Sequence, residues 1–300
     1  MDIVYVFVNV AVFLLFAPLF QGVTRKITAK IQSRQGPPLL QPYFDLIKLL
    51  GKERMNSARN WAFSLAPLGA FAAVLTVAAM IPLGGKANFL THRTDIISLI
   101  YMLVLGGVCV LLGALASRNT FALIGASREM ATMIMIEPIL AMTLILGAVK
   151  SGGLKLSTAM APLGSAGYGI AAVLMLAVYL LALQAFVGRQ PFDIAEAEVE
   201  ILEGPFIEYS GAFYGLFKYA MMMKQMFYAF LFVSVFMPLP ATGFGPADIL
   251  IQLLGILVVF VLIAIIGATN PRFRIDQAVK FYAGLIAAAL VAAVLAVKGF

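Results

Sequence analysis

A chain of 300 residues with one cysteine and one histidine has little with which to hold a metal. Iron-sulfur clusters take about four thiolates, and haem usually takes a histidine or comparable axial ligand. No redox metal and no cofactor of its own is therefore expected in this polypeptide. Cys109 lies alone in an apolar run and reads as a small packing residue; His92 lies alone in a loop and reads as solvated. Charge is scarce too, at 12% of residues, where soluble domains run at roughly a quarter. Internal repeats and low-complexity tracts are missing. What fills the chain is apolar: 62% hydrophobic residues and a mean hydropathy of +1.00. These values point to an all-α, polytopic membrane helix bundle, one transmembrane domain over residues 1–300.

Runs of about 20 apolar residues suffice to cross a bilayer, and eight occur, at 3–22, 61–82, 95–116, 129–149, 168–187, 214–237, 247–268 and 278–298. The first is followed, not preceded, by its basic residues Arg25 and Lys26, the reverse of a secretory signal. A retained first span with its N-terminus outside is expected. By alternation, sixteen of the 21 Lys and Arg fall on the side of the loops 23–60, 117–128, 188–213 and 269–277 and the adjoining helix ends; Lys86, Arg93, Lys150, Lys155 and Lys298 fall opposite. The bias places those four loops in the cytoplasm and both termini on the periplasmic side of a cell inner membrane. Topology thereby accounts for the net charge of +7, and no nucleic-acid partner is expected.

In the long first loop, Pro37 and Pro38 break any helix. Beyond them Phe44, Leu46, Ile47, Leu49 and Leu50, with Asp45, Lys48 and Lys52, predict a short amphipathic helix at the interface with the bilayer. Its Gly-Pro-Pro and Gln-Pro pairs suggest a shaped role in docking or in lining a cavity. Arg128 and Glu129 are expected to open the fourth span, which places Glu137 two turns inside the hydrocarbon. A carboxylate there normally faces the protein interior and marks an ion or proton path; a structural ion pair is the alternative. The segments 150–167 and PLPATGFGPAD read as plain external connectors.

Acidic residues number only 14, and six of them crowd into GRQPFDIAEAEVEILEGPFIEYSG: Asp193, Glu196, Glu198, Glu200, Glu203 and Glu208. Pro191 suits a first helical turn, and spacings of three, four and three would put Asp193, Glu196, Glu200 and Glu203 on one helical face, with Glu198 pointing elsewhere. Carboxylates stacked beside apolar protein cannot all stay ionised, so a coupled set with at least one raised pKa is expected. A solvated acidic patch that docks a basic partner is the other reading. In the sixth span Gly211 and Gly215 permit close helix approach. Lys218 is placed to snorkel to the surface, whereas Lys224, about 9 Å further along, requires a partner such as Glu137 or a carboxylate of the fifth loop.

With these residues in view, the chain resembles the subunit 1 family of respiratory complex I and its relatives in membrane-bound [NiFe] hydrogenases. RQPFDIAEAEVEILEG with EYSG, QSRQGPP with LQPYFDLIKLL, SREMATMIMIEP and NPRFRIDQ are similar to the family's blocks. The resemblance implies a membrane anchor beneath a peripheral redox arm, joined to antiporter-like subunits. It also implies a proton path through Glu137, Asp193, Glu196, Glu198, Glu200, Glu203 and Glu208, to which the lysines of span six, Lys218 and Lys224, are added as expected relay members from their placement. Arg34, Gln41, Asp45, Arg128, Arg189, Arg272, Arg274 and Asp276 are expected at docking or cavity surfaces. Gly204-Pro205-Phe206, Lys218 and Met221 depart from the quinone-reducing branch and look like the hydrogenase branch, with its formate-, CO- and ferredoxin-linked enzymes. The expected function is that of a coupling subunit in an energy-converting hydrogenase. Its [NiFe] centre and [4Fe-4S] clusters would lie in large and small partner subunits, and it would move H⁺ or Na⁺. A quinone-site subunit and a stand-alone cation transporter are the alternatives.

Overall fold

The computed structural model describes residues 2–53, 55, 60–160, 169–240 and 242–299; the side chains of Asp2, Lys150, Glu198 and Val199 lie outside the described set. Arg54, Arg59 and residues 161–168 fall outside it too, as does the expected role of the Glu198 carboxylate. Among the described residues eight helices are long and apolar enough to span a bilayer. They are α1 (Asp2–Ile31), α3 (Trp61–Met80), α5 (Ile96–Ser117), α6 (Thr120–Ser151), α8 (Ile170–Val187), α10 (Gly211–Phe236), α11 (Gly245–Thr269) and α12 (Ile275–Val297). Between them lie the short helices α2 (Gln41–Leu50), α4 (Phe89–Arg93), α7 (Leu156–Ala159) and α9 (Glu198–Ile201). The protein is a polytopic helical membrane protein.

Helix α10 is the axis of the bundle. It packs against α1, α2, α3, α8 and α11. Its apolar window is 78% buried although its hydropathy, 1.3, is the lowest of the eight, while α12 at 2.1 is only 28% buried. This inversion is what lipid imposes: helices that meet hydrocarbon must be apolar, and the polar side chains retreat to the helix that meets only protein. Met and Phe fill α10 all round, and polarizable Met adapts to whichever neighbour it meets.

Two prolines show how the neighbours are bound to that axis. A proline inside a helix has no N–H and leaves the carbonyl four residues earlier without its donor. Pro18 frees the Leu14 carbonyl, which the Tyr219 hydroxyl of α10 occupies at 2.7 Å. Pro67 frees that of Phe63, which the Tyr209 hydroxyl, just before α10, occupies at 3.1 Å. The Phe63 and Tyr209 rings also stack, with centroids 4.1 Å apart. The expected close approach at Gly211 and Gly215 is present as well, but its partner is α2: a Cβ on Gly215 would sit 3.2 Å from that of Leu49, and one on Gly211 2.6 Å from the Glu53 carbonyl oxygen.

Two boundaries differ from expectation. Helix α1 runs on past residue 22 to Ile31, because TRKITAKI contains nothing that stops a helix; the break comes with Ser33, in the left-handed region at φ 54°, and Gly36-Pro37-Pro38. Helix α6 starts at Thr120, capped by the Asn119 side chain on the Phe121 N–H, so Arg128 and Glu129 lie inside the helix and do not open it. The loop expected at 117–128 shrinks to a tight corner in which Arg118 takes φ 57°.

The connections that follow spans one, three, five and seven hydrogen-bond to one another, with the fifth at the centre. The Met55 N–H donates to Ser210 Oγ, Asn119 Nδ2 to Glu208 Oε1 at 2.6 Å, and the Phe273 N–H to the Pro191 carbonyl at 2.9 Å. On the opposite side the connections are tied separately, by a bridge between Asp95 and Lys155 and by the Gly84 N–H on Gln252 Oε1.

Candidate functional site

The fifth connection, residues 188–210, is not the continuous acidic helix that its spacing predicts. Pro191 lies in a turn, residues 192–197 are irregular, and the only α-helical turn is Glu198–Ile201. Leu202, Glu203 and Gly204 then take left-handed φ of 55°, 63° and 50°. Tertiary contacts override local preference here. The segment lies across the ends of α6 and α8, and Gly204 and Pro205 press so closely on Gly125 of α6 that a Cβ there would come within 2.6 Å of Pro205 Cδ. Asp193, Glu196, Glu200 and Glu203 therefore do not share a helical face; they divide into an inner and an outer set.

The inner set lines a cavity of about 110 Å³ of water-accessible space enclosed by α3, α5, α6, α8, α10 and the fifth connection. Asp193 and Glu196 enter from the connection, Glu129 and Glu137 from α6, and Lys224 from α10, among apolar walls that include Val110, Phe192 and Phe206. Burial, reinforced by the charge of Asp193 and opposed by Arg189, pushes the Glu196 carboxyl up to about 8. Lys224 Nζ stands 5.9 Å from the centre of the Tyr228 ring. Among the described residues it forms no ion pair with Glu137 or a fifth-loop carboxylate, so the direct partner expected for it is replaced by a shared cavity. Gln225, also in the wall, donates through Nε2 to the carbonyl of Val187, the last residue of α8, at 3.0 Å, while its buried Oε1 has no partner among the described residues.

The outer set is paired. Arg128 donates to Glu200 at 2.7 Å, and that bond, with the nearby charges of Arg272 and Arg274, holds the exposed Glu200 carboxyl below its ordinary range. Lys218, instead of snorkelling alone, donates to the Tyr214 hydroxyl at 3.1 Å, which donates to Glu203 Oε1 at 3.0 Å. In α2, burial tends to raise Asp45, but bonds from Gln41 and Arg25, with Lys218 nearby, bring it below the usual range. Arg189 acts on Glu196 and Asp193 from the start of the connection. Arg34 and Asp276 are exposed and stand apart from both sets. Among the described residues no three or more His, Cys, Asp or Glu are grouped to hold a metal ion.

Glu129 is the member that sequence reasoning misses, because its place beside Arg128 reads as a helix boundary. The signal is nonetheless present: Glu129, Thr132, Met133, Ile136, Glu137 and Leu140 follow a three-four rhythm, and all six line the cavity. Gln225 and Tyr228 carry no such signal.

Fold and site together define a polytopic membrane protein in which Glu129, Glu137, Asp193 and Glu196 line one cavity. A family model described as NADH dehydrogenase matches residues 3–297. The chain belongs to this family, that of complex I subunit 1. It is 32% identical to formate hydrogenlyase subunit 4 of Escherichia coli (strain K12), over 92% of this chain and 92% of that protein. It is also 32% identical to hydrogenase-4 component C of the same strain, over 91% and 89%, and 34% identical to an NADH-quinone oxidoreductase subunit of Bacillus mycoides (strain KBAB4), over 92% and 88%. Its fold matches a chain in the structure of the membrane-bound sulfane sulfur reductase, an archaeal respiratory membrane complex, with a TM-score of 0.84 at 28% identity, over 97% of this chain and 99% of that one. The homologues are membrane subunits of multisubunit oxidoreductase complexes.

Proposed function

We propose that the chain is the membrane anchor and coupling subunit of an energy-converting [NiFe] hydrogenase, non-catalytic itself, that links electron transfer in a peripheral arm to proton or sodium movement. The observation that carries this reading is the cavity: its lining runs from Asp193 and Glu196 of the fifth connection, above which a peripheral arm would sit, to Glu137 within the span of α6. In this reading large and small partner subunits hold the [NiFe] centre and the [4Fe-4S] clusters above the fifth connection. Antiporter-like subunits adjoin the bundle in the cell inner membrane, with both termini periplasmic. Glu196, protonated near neutral pH, senses charge at the arm. Lys224 carries the response to Glu137 through space, and Arg128, Arg272 and Arg274 hold the docking surface. The similarity to formate hydrogenlyase subunit 4 and hydrogenase-4 component C supports the hydrogenase assignment.

The test is Glu196→Gln in inverted vesicles. Hydrogen evolution by the arm continues while ion movement coupled to it falls at least tenfold; unchanged transport overturns the scheme. A second reading, a quinone-site subunit, is favoured by the 34% identity to the Bacillus mycoides protein and by the apolar cavity wall. Quinone co-purifying with the complex, or inhibition by a quinone-site inhibitor, would establish it. A chain that purifies and transports cations without iron-sulfur partners would support the stand-alone transporter instead.

A further inference from the structure

Helix α2 is amphipathic in the reverse sense to a helix that meets water. Two of its polar side chains are tied to the protein, Asp45 accepting from Arg25 at 3.0 Å and from Gln41 at 3.0 Å, while Lys48 stays exposed. Its outer side carries Phe44, 57% exposed, and Ile47, 67% exposed. A helix on an aqueous surface would show the opposite arrangement. The depth of α2 agrees with this. The Tyr43 hydroxyl donates to the Leu15 carbonyl, Leu46 belongs to the same buried cluster as Phe20, and the Leu39 carbonyl lies so close to Gly22 that no side chain fits between. Leu15 and Gly22 lie within the apolar part of α1, about 22 and 12 Å along the axis from Lys30 at the standard rise of about 1.5 Å per residue. The segment thus lies over α1 at hydrocarbon depth, continuing the exposed apolar stripe of Val4, Phe7 and Leu15. In the same stretch Lys30, Arg34 and Lys48 are exposed and take part in no ion pair among the described residues.

We propose that residues 30–50 form a binding site for one anionic phospholipid of the leaflet on the fifth-loop side, with acyl chains over Phe44 and Ile47 and the phosphate held by Lys30, Arg34 and Lys48. Apolar surface beside unpaired cations at the depth of the headgroups is what an amphipathic element needs to select a charged lipid over a zwitterionic one. A neighbouring membrane protein would cover the apolar face equally well but would need acidic side chains placed opposite the three cations, which the lipid phosphate supplies by itself. The site is independent of the proposed coupling role.

The test places the photoreactive residue p-benzoylphenylalanine at Phe44, and separately at Ile47, in the intact complex. The complex is reconstituted in nanodiscs of equal parts phosphatidylglycerol and phosphatidylcholine, irradiated, and read by mass spectrometry of this chain. Phospholipid adducts are expected, with phosphatidylglycerol in excess by about fivefold; the triple variant Lys30→Gln, Arg34→Gln, Lys48→Gln brings the two to parity. The enrichment on the otherwise unaltered chain stands as a test even where the triple variant fails to assemble. Crosslinks to another polypeptide, or adducts in the mixing ratio without the triple variant, overturn the proposal.

Discussion

Replacing Glu196 by Gln should make the protein more stable while disabling it. With the folded carboxyl at about 8 and the unfolded one near its ordinary 4.5, the folded state holds a proton that the unfolded state has lost throughout that window. Stability is then full below about pH 4.5 and declines as the pH rises toward 8. At pH 7, about 2.5 units above the unfolded value, the cost at about 1.4 kcal/mol per unit reaches at most about 3.5 kcal/mol. Gln keeps the shape and cannot ionise, so it removes the pH-dependent cost. The assay is thermal unfolding of the complex in nanodiscs at pH 5, 6, 7 and 8. The wild type loses stability across the series, the variant loses less, and the gap widens with pH. A variant that melts lower than wild type at pH 7, or two curves that run parallel, would refute the assignment of a buried, protonated carboxyl at this position.

Tyr209→Phe leaves the Phe63 carbonyl without its donor, a loss of about 1–3 kcal/mol; adding Pro67→Ala restores a helical N–H and should recover most of the melting temperature. Glu200→Gln, in an exposed pair with Arg128, should change stability by under about 1 kcal/mol, in a salt-dependent manner, and reduce coupled transport far less than Glu196→Gln in the same vesicles. Gln225→Leu removes the bond to Val187 and a polar group from the cavity wall; transport should slow while hydrogen evolution is kept, whereas equal loss of both would make Gln225 a packing residue only. Gly125→Ala drives a methyl against Pro205, at a cost of about 1–3 kcal/mol, and should raise proteolysis of the fifth connection.

How much of this could be read from the residues depended on which physics set each feature. The eight spans were legible because lipid thickness demands long apolar runs whatever the tertiary contacts, and α2 was legible because its charges alternate with Phe and Leu. Helix ends were not, since TRKITAKI and TFALIGA are as compatible with helix as the apolar runs beside them. The acidic stretch stood out by its concentration of carboxylates in an acid-poor chain. Its shape was hidden, because three-four spacing describes a helix only where nothing outside competes. Here the Ile194 carbonyl meets Arg128, the Pro191 carbonyl meets Phe273, and Gly204 is drawn onto α6.

The same competition explains why the carboxylates separate into two sets with opposite tendencies. A continuous acidic helix would have given its four members similar surroundings and similar affinities for protons. Breaking it at Ala197 and again at Leu202 sends Glu196 inward beside Asp193, where burial favours the neutral form, and leaves Glu200 outward beside Arg128, where the charged form is favoured. A step in affinity thereby arises across four residues, between a surface open to a docking partner and a cavity that reaches Glu137. In the coupling proposed above, a change of charge outside Glu200 would act on a group already ionised and do little, whereas the same change near Glu196 would move a proton. Coupling should accordingly depend on how closely the partner's charge approaches Glu196, and hardly at all on the pair outside it.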